Sequence, residues 1–226
     1  MKKLALLFLL AVAACPIYAD TTIWYNGDFN GVNGLTNEVN TVIPLSYVYD
    51  DFILTHSVTL TDAFSNNLMT FNTSLADVEI RSGVSAGNGG TLIYGAYGVA
   101  ATQTPTGRTG FGLTEYTIAV GLPNVVLGPG TYWLMVAPAD SGAGRSFIST
   151  TSGANCIGMP CGNDDNSFIF SPTFGANFEP ASDFVGFPAD FSMGVSASTI
   201  PEPSSLIMMG TGILSLAGVL RRKLSR

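Results

Sequence analysis

Positive charge is scarce in the middle of the sequence. Between Asp20 and Pro203 there is no lysine, and three arginines oppose all sixteen acidic residues of the chain, which gives this segment a formal charge of −13. Proteins that bind nucleic acid carry basic patches, and anionic lipid surfaces also attract basic segments. The composition therefore argues against both kinds of partner. Neutral polysaccharide, divalent cations and other proteins remain as candidate partners.

Histidine is nearly absent, and its position argues against one hydrolase motif. Residues 83–87 read G-V-S-A-G and match G-x-S-x-G, the pattern in which a serine opens a helix and the catalytic histidine comes later in the chain. Here Asn88, Gly89 and Gly90 follow the motif, and the one histidine, His56, precedes it. We therefore expect a glycine-rich hairpin loop and predict no catalytic residue.

Cysteine is also rare. The chain has three, and removal of Cys15 with a signal peptide leaves Cys156 and Cys161, which lie close together in C-I-G-M-P-C. An even pair in an exported chain favours a disulfide. A metal site would need further ligands nearby, and His56 lies 100 residues before Cys156. We therefore predict a disulfide and no metal at the cysteines.

No segment of the body has a convincing helical period, whereas alternation with a period of two is common. In residues 51–61 every second side chain falls on one face: Phe52, Leu54, His56, Val58 and Leu60. Such alternation is typical of a half-buried antiparallel strand. We therefore predict one strand over 51–61, with His56 packed and neutral on its inward face.

Further strands are predicted at short intervals. Residues 131–137, T-Y-W-L-M-V-A, are apolar on both faces, which is typical of a central strand. The other predicted strands are 76–82, 91–97, 114–120, 145–150, 167–170 and 191–197. Many short strands separated by Gly, Pro and Asn predict an all-β fold, an antiparallel β-sandwich of the jelly-roll kind.

Two stretches are rich in the oxygen ligands that calcium takes. The first lies within 21–40, which we expect to be a loop with turns at its Asn-Gly pairs, and it does not follow the EF-hand spacing. Its oxygen-bearing residues are Asp28, Asn30, Asn33, Asn37 and Glu38. The second is 162–166, G-N-D-D-N, beside the cysteines. Side chains that satisfy turn backbones and a solvated acidic turn are the simpler explanations, so no cofactor is predicted and calcium is the alternative.

The first residues, 1–19, have the layout of a secretory signal peptide. Two lysines precede an apolar stretch over 4–14, which is too short to span a bilayer comfortably, and Ala19 offers a small residue before cleavage. Lipidation of Cys15 is the alternative, because residues 12–15, V-A-A-C, resemble a lipobox. Both interpretations predict export.

The end of the chain, 198–226, has three consecutive parts. Pro201, Glu202 and Pro203 form a stiff motif that cannot continue a strand. The following 17 residues, 204–220, carry no charge and reach the short end of what spans a bilayer as a helix. We therefore predict a transmembrane helix there.

A basic stop, 221–226, ends the chain and begins with Arg221, Arg222 and Lys223. Cations in this position favour a cytoplasmic tail. The order of P-E-P motif, apolar run and basic stop resembles the PEP-CTERM sorting signal of certain Gram-negative bacteria. The resemblance implies that a membrane enzyme, exosortase, recognises and removes the tail, and that the body reaches the cell surface or an extracellular, often polysaccharide-rich, matrix. An ordinary tail anchor preceded by prolines is the alternative.

The predicted organisation is therefore a signal peptide at 1–19, a β-sandwich body at 20–197 and a sorting signal at 198–226. The expected partners are exosortase and the export machinery, the membrane through the C-terminal helix before processing, and polysaccharide. We expect the precursor to be anchored in the inner membrane. The mature form is expected at the cell surface or outside the cell.

Three functions from different classes fit this organisation, and we favour the first, a non-enzymatic surface or matrix protein. The second is a carbohydrate-binding module, because jelly rolls present aromatic side chains to sugar rings; the candidates are Trp24, Tyr25 and Trp133, although the strand around Trp133 favours the core. The third is a secreted glycoside hydrolase, which needs two carboxylates across a cleft. The acidic candidates are Asp50, Asp51, Glu79, Glu115, Asp164, Asp165 and Glu179.

Overall fold

The computed structural model describes residues 20–198, together with Gly210 and Gly212. The predicted signal peptide, P-E-P motif and basic stop lie outside these residues, as does the predicted helix 204–220 apart from the two glycines. Among the residues described, no helix is long and apolar enough to cross a membrane.

Two antiparallel sheets, of eight and six strands, make up the body. The first sheet contains β1 (Asp20–Tyr25), β2 (Phe29–Thr36), β4 (Val58–Met69), β7 (Thr102–Gly110), β8 (Leu113–Leu127), β10 (Ser146–Thr151), β13 (Asp190–Phe191) and β14 (Met193–Ser198). The second contains, in spatial order, β12 (Ala176–Pro180), β11 (Phe168–Ser171), β3 (Tyr47–Leu54), β9 (Gly130–Ala139), β5 (Leu75–Ser82) and β6 (Thr91–Ala100). A 3₁₀ turn (Pro172–Phe174) and a short helix, α1 (Ser182–Val185), connect the last strands. The prediction of an all-β fold with two antiparallel sheets is confirmed.

Strand β4 organises the first sheet. One edge pairs with β8 from Val58 to Met69, interrupted by a bulge near Leu60. The other edge pairs first with β14 and then with β10. Because β10 also pairs with β2 and β13, residues from both ends of the body meet around this strand.

The second sheet is buried on both of its faces at β9. Leu134 and Val136 belong to the main core between the sheets, and Trp133 and Met135 belong to a second apolar cluster on the outer face. Strand β9 lies between β3 and β5, so the sequence-based prediction of a central strand is confirmed. Burial on both faces explains why this segment is continuously apolar.

The prediction of one strand over 51–61 is wrong. Strand β3 ends at Leu54 and β4 begins at Val58, so a three-residue turn separates two strands of different sheets. His56 lies in this turn and is exposed, with its Nδ1 atom 3.2 Å from Thr55 Oγ1. The inward, packed position expected for His56 is therefore also wrong.

The expectation of a loop over 21–40 is wrong as well, because β1 and β2 occupy most of it. Gly34 is part of an Asn-Gly pair but lies within β2, opposite Ser149 of β10. A Cβ atom on Gly34 would lie 3.0 Å from Phe147 Cβ and 3.2 Å from Ile148 O. Close strand packing, rather than a turn, accounts for the glycine at this position.

The remaining predicted strands coincide with β5, β6, β8, β10, β11 and the β13–β14 region, several of them longer than expected. The G-x-S-x-G segment lies in the connection between the antiparallel neighbours β5 and β6. The expected glycine-rich hairpin loop is therefore confirmed at residues 83–87.

We expect Val136→Ala to lower the free energy of unfolding by about 2 kcal/mol, because two methyl groups leave a closed core. Val136 is fully buried, whereas Val126 is 70% exposed. The matched change Val126→Ala should therefore stay within about 0.5 kcal/mol of the wild type. Urea-induced unfolding of the three proteins measures both values, and equal losses in the two variants would contradict the burial of β9.

Candidate functional site

The segment between β10 and β11, residues 152–167, is called the cysteine loop here. Cys156 and Cys161 form a disulfide in it, with their Cα atoms 5.6 Å apart, as predicted. Backbone hydrogen bonds attach the loop to both sheets: Ile157 N donates to Tyr25 O at 2.8 Å, and Ile53 N donates to Met159 O at 2.8 Å. The loop is therefore a fixed cover over the adjoining ends of β1 and β3.

Close backbone contacts fix the shape of the cysteine loop. Gly153 has φ +85°, and a Cβ atom there would lie 2.7 Å from the Cα of Gly162. Gly158 has φ +78°, and a Cβ atom there would lie 2.5 Å from Ile23 O. Both positions require glycine because of the left-handed backbone and the lack of space.

Three buried aspartates, Asp50, Asp51 and Asp190, lie near this loop, and an exposed fourth, Asp164, belongs to it. We call them the aspartate cluster. Asp50 and Asp51 come from the middle of β3, Asp164 from the cysteine loop and Asp190 from β13. The charges of Asp164 and Asp51 raise the pKa of Asp190, and the charge of Asp190 raises the pKa of Asp50. The cluster therefore joins both sheets and the loop.

Asp50 has a structural role within the cluster. It is fully buried, and its Oδ2 accepts hydrogen bonds from Phe191 N at 2.6 Å and from Asn26 Nδ2 at 3.0 Å. Its Oδ1 accepts from Asp51 N at 3.0 Å. Burial, and then the charge of Asp190, raise the pKa of Asp50 well above its usual range. Both of its oxygens are nevertheless occupied by protein donors.

Asp51 differs because one of its oxygens has no partner. The residue is 2% exposed, and its Oδ1 makes no hydrogen bond. Burial and the charge of Asp164 raise the pKa of Asp51 to about 7, although the Asn166 side chain opposes the rise. A buried carboxyl oxygen without a donor is costly when the group is ionised.

Asp190 also has a carboxyl oxygen without a hydrogen-bond partner. It is fully buried; its Oδ2 accepts a hydrogen bond from Asp164 N at 2.6 Å, while its Oδ1 has no partner. Burial raises the pKa of Asp190 to about 8; the hydrogen bond from the Asp164 backbone opposes this, and the charge of the Asp164 side chain adds to it. Two carboxyl groups this close cannot both ionise easily.

No positive side chain of the body reaches the aspartate cluster. Each of its arginines pairs with other carboxylates: Arg81 with Glu79, Arg145 with Glu38, and Arg108 with Glu115 and Asp28. Residues 20–198 contain no lysine. The negative charge of the cluster can therefore be compensated by protons or by a cation from solution.

The oxygen-rich residues of 21–40 all have protein partners. Asp28 Oδ1 accepts from Tyr25 Oη at 2.6 Å, Asn30 Oδ1 accepts from Thr150 Oγ1 at 2.8 Å, and Glu38 Oε1 accepts from Arg145 Nε at 2.6 Å. Asn33 and Asn37 likewise hydrogen bond to the protein. These side chains hold the neighbouring strands in position.

The aromatic side chains proposed for sugar binding are mostly in the interior. Trp24 is 1% exposed, and its Nε1 donates to Pro160 O at 3.1 Å. Trp133 is 7% exposed, and its Nε1 donates to Asn166 O at 2.9 Å. Tyr25 is half-buried and hydrogen bonds to Asp28. Both tryptophans therefore support the cysteine loop from below.

An exposed aromatic side chain that the sequence did not single out lies at the β7–β8 hairpin. Phe111 is 67% exposed and has φ +55°, an uncommon conformation for a bulky residue. It contributes to a groove of about 200 Å³ that Leu113 and Phe147 also line. Asn33 supplies a polar group there. The groove combines an apolar wall with a hydrogen-bonding side chain.

The acidic residues considered for a hydrolase fall into two groups. Glu79 and Glu115 each bind an arginine, whereas Asp50, Asp51 and Asp164 belong to the aspartate cluster. Asp190 is the one member of the aspartate cluster that was not among the acidic candidates of the sequence. It could have been found there because Ala189 and Phe191 flank it, and Asp50 and Asp51 also have apolar neighbours.

The tail of the chain is similar to a known protein family. Residues 199–223 match the PEP-CTERM protein-sorting motif. No curated protein and no solved structure matches the chain. The matched residues include the P-E-P motif and the start of the basic stop, so the resemblance seen in the sequence is confirmed. The motif implies an exported chain that is processed by exosortase.

Replacing Cys156 and Cys161 together by serine should lower the free energy of unfolding by about 2 kcal/mol, because the bond closes a short loop. Urea-induced unfolding of the oxidised wild type and of the double variant gives the difference. Adding a reductant to the wild type should reproduce it, and should leave the variant unchanged. An unchanged unfolding midpoint in the double variant would contradict the bond.

Proposed function

We propose that this protein is a non-enzymatic component of the cell surface or extracellular matrix, delivered by exosortase-dependent sorting. The observation that carries the proposal is the PEP-CTERM motif at 199–223. The Cys156–Cys161 disulfide supports it, because such bonds persist in oxidising compartments outside the cytoplasm.

The proposed route follows the order of the segments. The signal peptide, 1–19, starts export of a jelly-roll body, 20–197. The helix 204–220 then holds the precursor in the inner membrane, with the basic tail 221–226 on the cytoplasmic side. Exosortase acts near the P-E-P motif, 201–203, and the body leaves the membrane.

The proposal of a non-enzymatic role is supported by the positions of the catalytic candidates. His56 is exposed in a turn, and Ser85 lies in the β5–β6 connection, where its N–H donates to Asn88 O at 2.9 Å. Glu79 and Glu115 are each bound by an arginine. The arginine contacts favour a structural role for both glutamates.

Changing the sorting motif should block release of the body. We expect wild-type protein in the medium to end close to Pro203, and Glu202→Ala to remain full-length in the membrane fraction, because the motif is what exosortase would recognise. Intact-mass spectrometry of cells and medium measures both ends of each product. Glu179→Ala, in the body, is the matched control and should be processed like the wild type. Full-length wild type retained in the membrane would identify an ordinary anchor instead.

A second candidate function is binding of exopolysaccharide through the groove at Phe111. The observation that favours it is an aromatic side chain 67% exposed beside an apolar groove with an amide group. Aromatic rings contribute large contact areas at low entropic cost. A sugar ring stacked on Phe111 would be within reach of Asn33.

Phe111→Ala should weaken retention on a polysaccharide panel about five- to tenfold, because one aromatic contact is worth roughly 1 kcal/mol. Phe184→Ala is the matched control, since Phe184 is 40% exposed in α1. Affinity electrophoresis of both variants and the wild type makes the comparison. Absence of retention of the wild type would remove this candidate function and leave the sorting proposal intact.

A further inference from the structure

We propose that two copies of this chain associate through strand β6 (Thr91–Ala100), whose free edges pair with each other in antiparallel fashion. Strand β6 ends the second sheet and, within the described residues, pairs only with β5. The dimer would join two six-stranded sheets edge to edge. This inference goes beyond the proposed sorting function, and it does not involve the groove at Phe111.

The first argument is that neither charge nor proline protects β6 from pairing. Its ten residues read T-L-I-Y-G-A-Y-G-V-A. The surrounding segment, 82–107, contains no Asp, Glu, Lys, Arg or His. Natural edge strands are usually blunted by charged side chains, by proline or by short length. A ten-residue edge without charge or proline therefore favours the addition of another strand.

Strands at three other sheet ends carry the protection that β6 lacks. Strand β7 contains Pro105 and Arg108, and β1 contains Asp20. Strand β12, at the far end of the second sheet, has five residues, which include Glu179 and Pro180. A sheet joined through β6 would have β12 at both of its ends. The association would therefore stop at two copies of the second sheet.

The second argument is the exposed apolar surface along this edge. Leu92 and Ile93 are each 44% exposed, Tyr97 is 55% exposed, and Leu75 on the neighbouring β5 is 44% exposed. Leu92 and Tyr97 lie over the same point of the strand, because a Cβ atom added to Gly95 would be 3.3 Å from Leu92 Cδ2 and from Tyr97 Oη. Exposed apolar side chains grouped in this way mark interaction sites.

The β-bulges of β6 identify Ile93 as the side chain to test. Ile80 lies opposite Tyr94, and Arg81 lies opposite Leu92, so Ile93 has no opposite residue on β5. Bulges redirect side chains and interrupt the ladder locally. The other bulge lies nearer the end of the strand, so a regular stretch remains between the two. This stretch supplies backbone groups for pairing, and Ile93 is free to contact the second copy.

The third argument selects a second copy as the partner. The body has a formal charge of −13, so two copies repel each other wherever their acidic side chains meet. That repulsion is smallest at the uncharged segment 82–107. A basic or an acidic partner would find no opposite charge on β6. Identical strands related by a twofold axis pair antiparallel, so each copy offers the same uncharged surface to the other.

Sedimentation velocity of the full-length chain in density-matched detergent, over about 1 to 100 µM, tests the proposal. The wild type should shift from one chain to two as its concentration rises, because a single strand pair makes a small interface. Ile93→Lys should weaken dimerisation at least tenfold, since a lysine on an edge strand opposes pairing. Val42→Lys is the matched control and should dimerise like the wild type. Val42 is 47% exposed and lies outside the strands, and its replacement adds the same charge.

Hydrogen exchange locates the contact. In the wild type, the amides of 91–100 should exchange more slowly at high protein concentration, because pairing gives the free edge new hydrogen bonds. The amides of β12 should exchange equally at both concentrations, and the difference over 91–100 should disappear in Ile93→Lys. Leu92→Lys, at another exposed position of β6, replaces Ile93→Lys if that variant does not fold, and the same results are expected.

Two results would overturn the proposal. A wild type that remains monomeric over the whole range would exclude association through β6, and it would leave the sorting proposal intact. A dimer of equal strength in the lysine variant would place the contact on another surface, or in the predicted helix 204–220.

Discussion

Three arginine side chains form all the ion pairs that hold buried glutamates in residues 20–198. Residues 20–198 contain no lysine, so every ion pair with a basic side chain uses one of these guanidinium groups. Three of their four partners are withdrawn from water: the side chains of Glu38 and Glu115 are 0% exposed, and that of Glu79 is 4% exposed. Burying an unpaired carboxylate costs several kcal/mol. The arginines therefore make it possible for three acidic residues to lie within the sandwich.

The use of arginine has a structural consequence at the outer face of the second sheet. Arg81 binds Glu79, donates to Gly89 O at 3.0 Å, and lies 5.3 Å from the centre of the Phe178 ring. A guanidinium group can make these contacts together because it is planar and has several donors. One side chain thus attaches the β5–β6 connection to β12. A lysine would offer one compact charge and could not reproduce the arrangement.

Period-two alternation in the sequence located most strands but not the boundary near His56. The turn between β3 and β4 has three residues, so Leu54 and Val58 are four positions apart and alternation continues through the turn unchanged. Sequence pattern alone cannot detect a turn that preserves the period. By contrast, the central strand β9 was predictable, because burial of both faces leaves a continuous apolar run. Local pattern therefore predicts which face is buried better than it predicts where a strand ends.

The sorting signal in the tail could be predicted from the sequence, whereas the aspartate cluster could not. The sorting motif is a linear signal, complete within 199–223, so its residues were identifiable without a fold. The cluster brings Asp51 near Asp190, although the two are 139 positions apart in the chain. The sequence did show the cause, an excess of acid over base and carboxylates set among apolar neighbours. Folding brings part of that excess to one covered place, where charge must be compensated by something other than a basic side chain. The composition therefore implied a need for counter-charge, and the fold determines where that need arises.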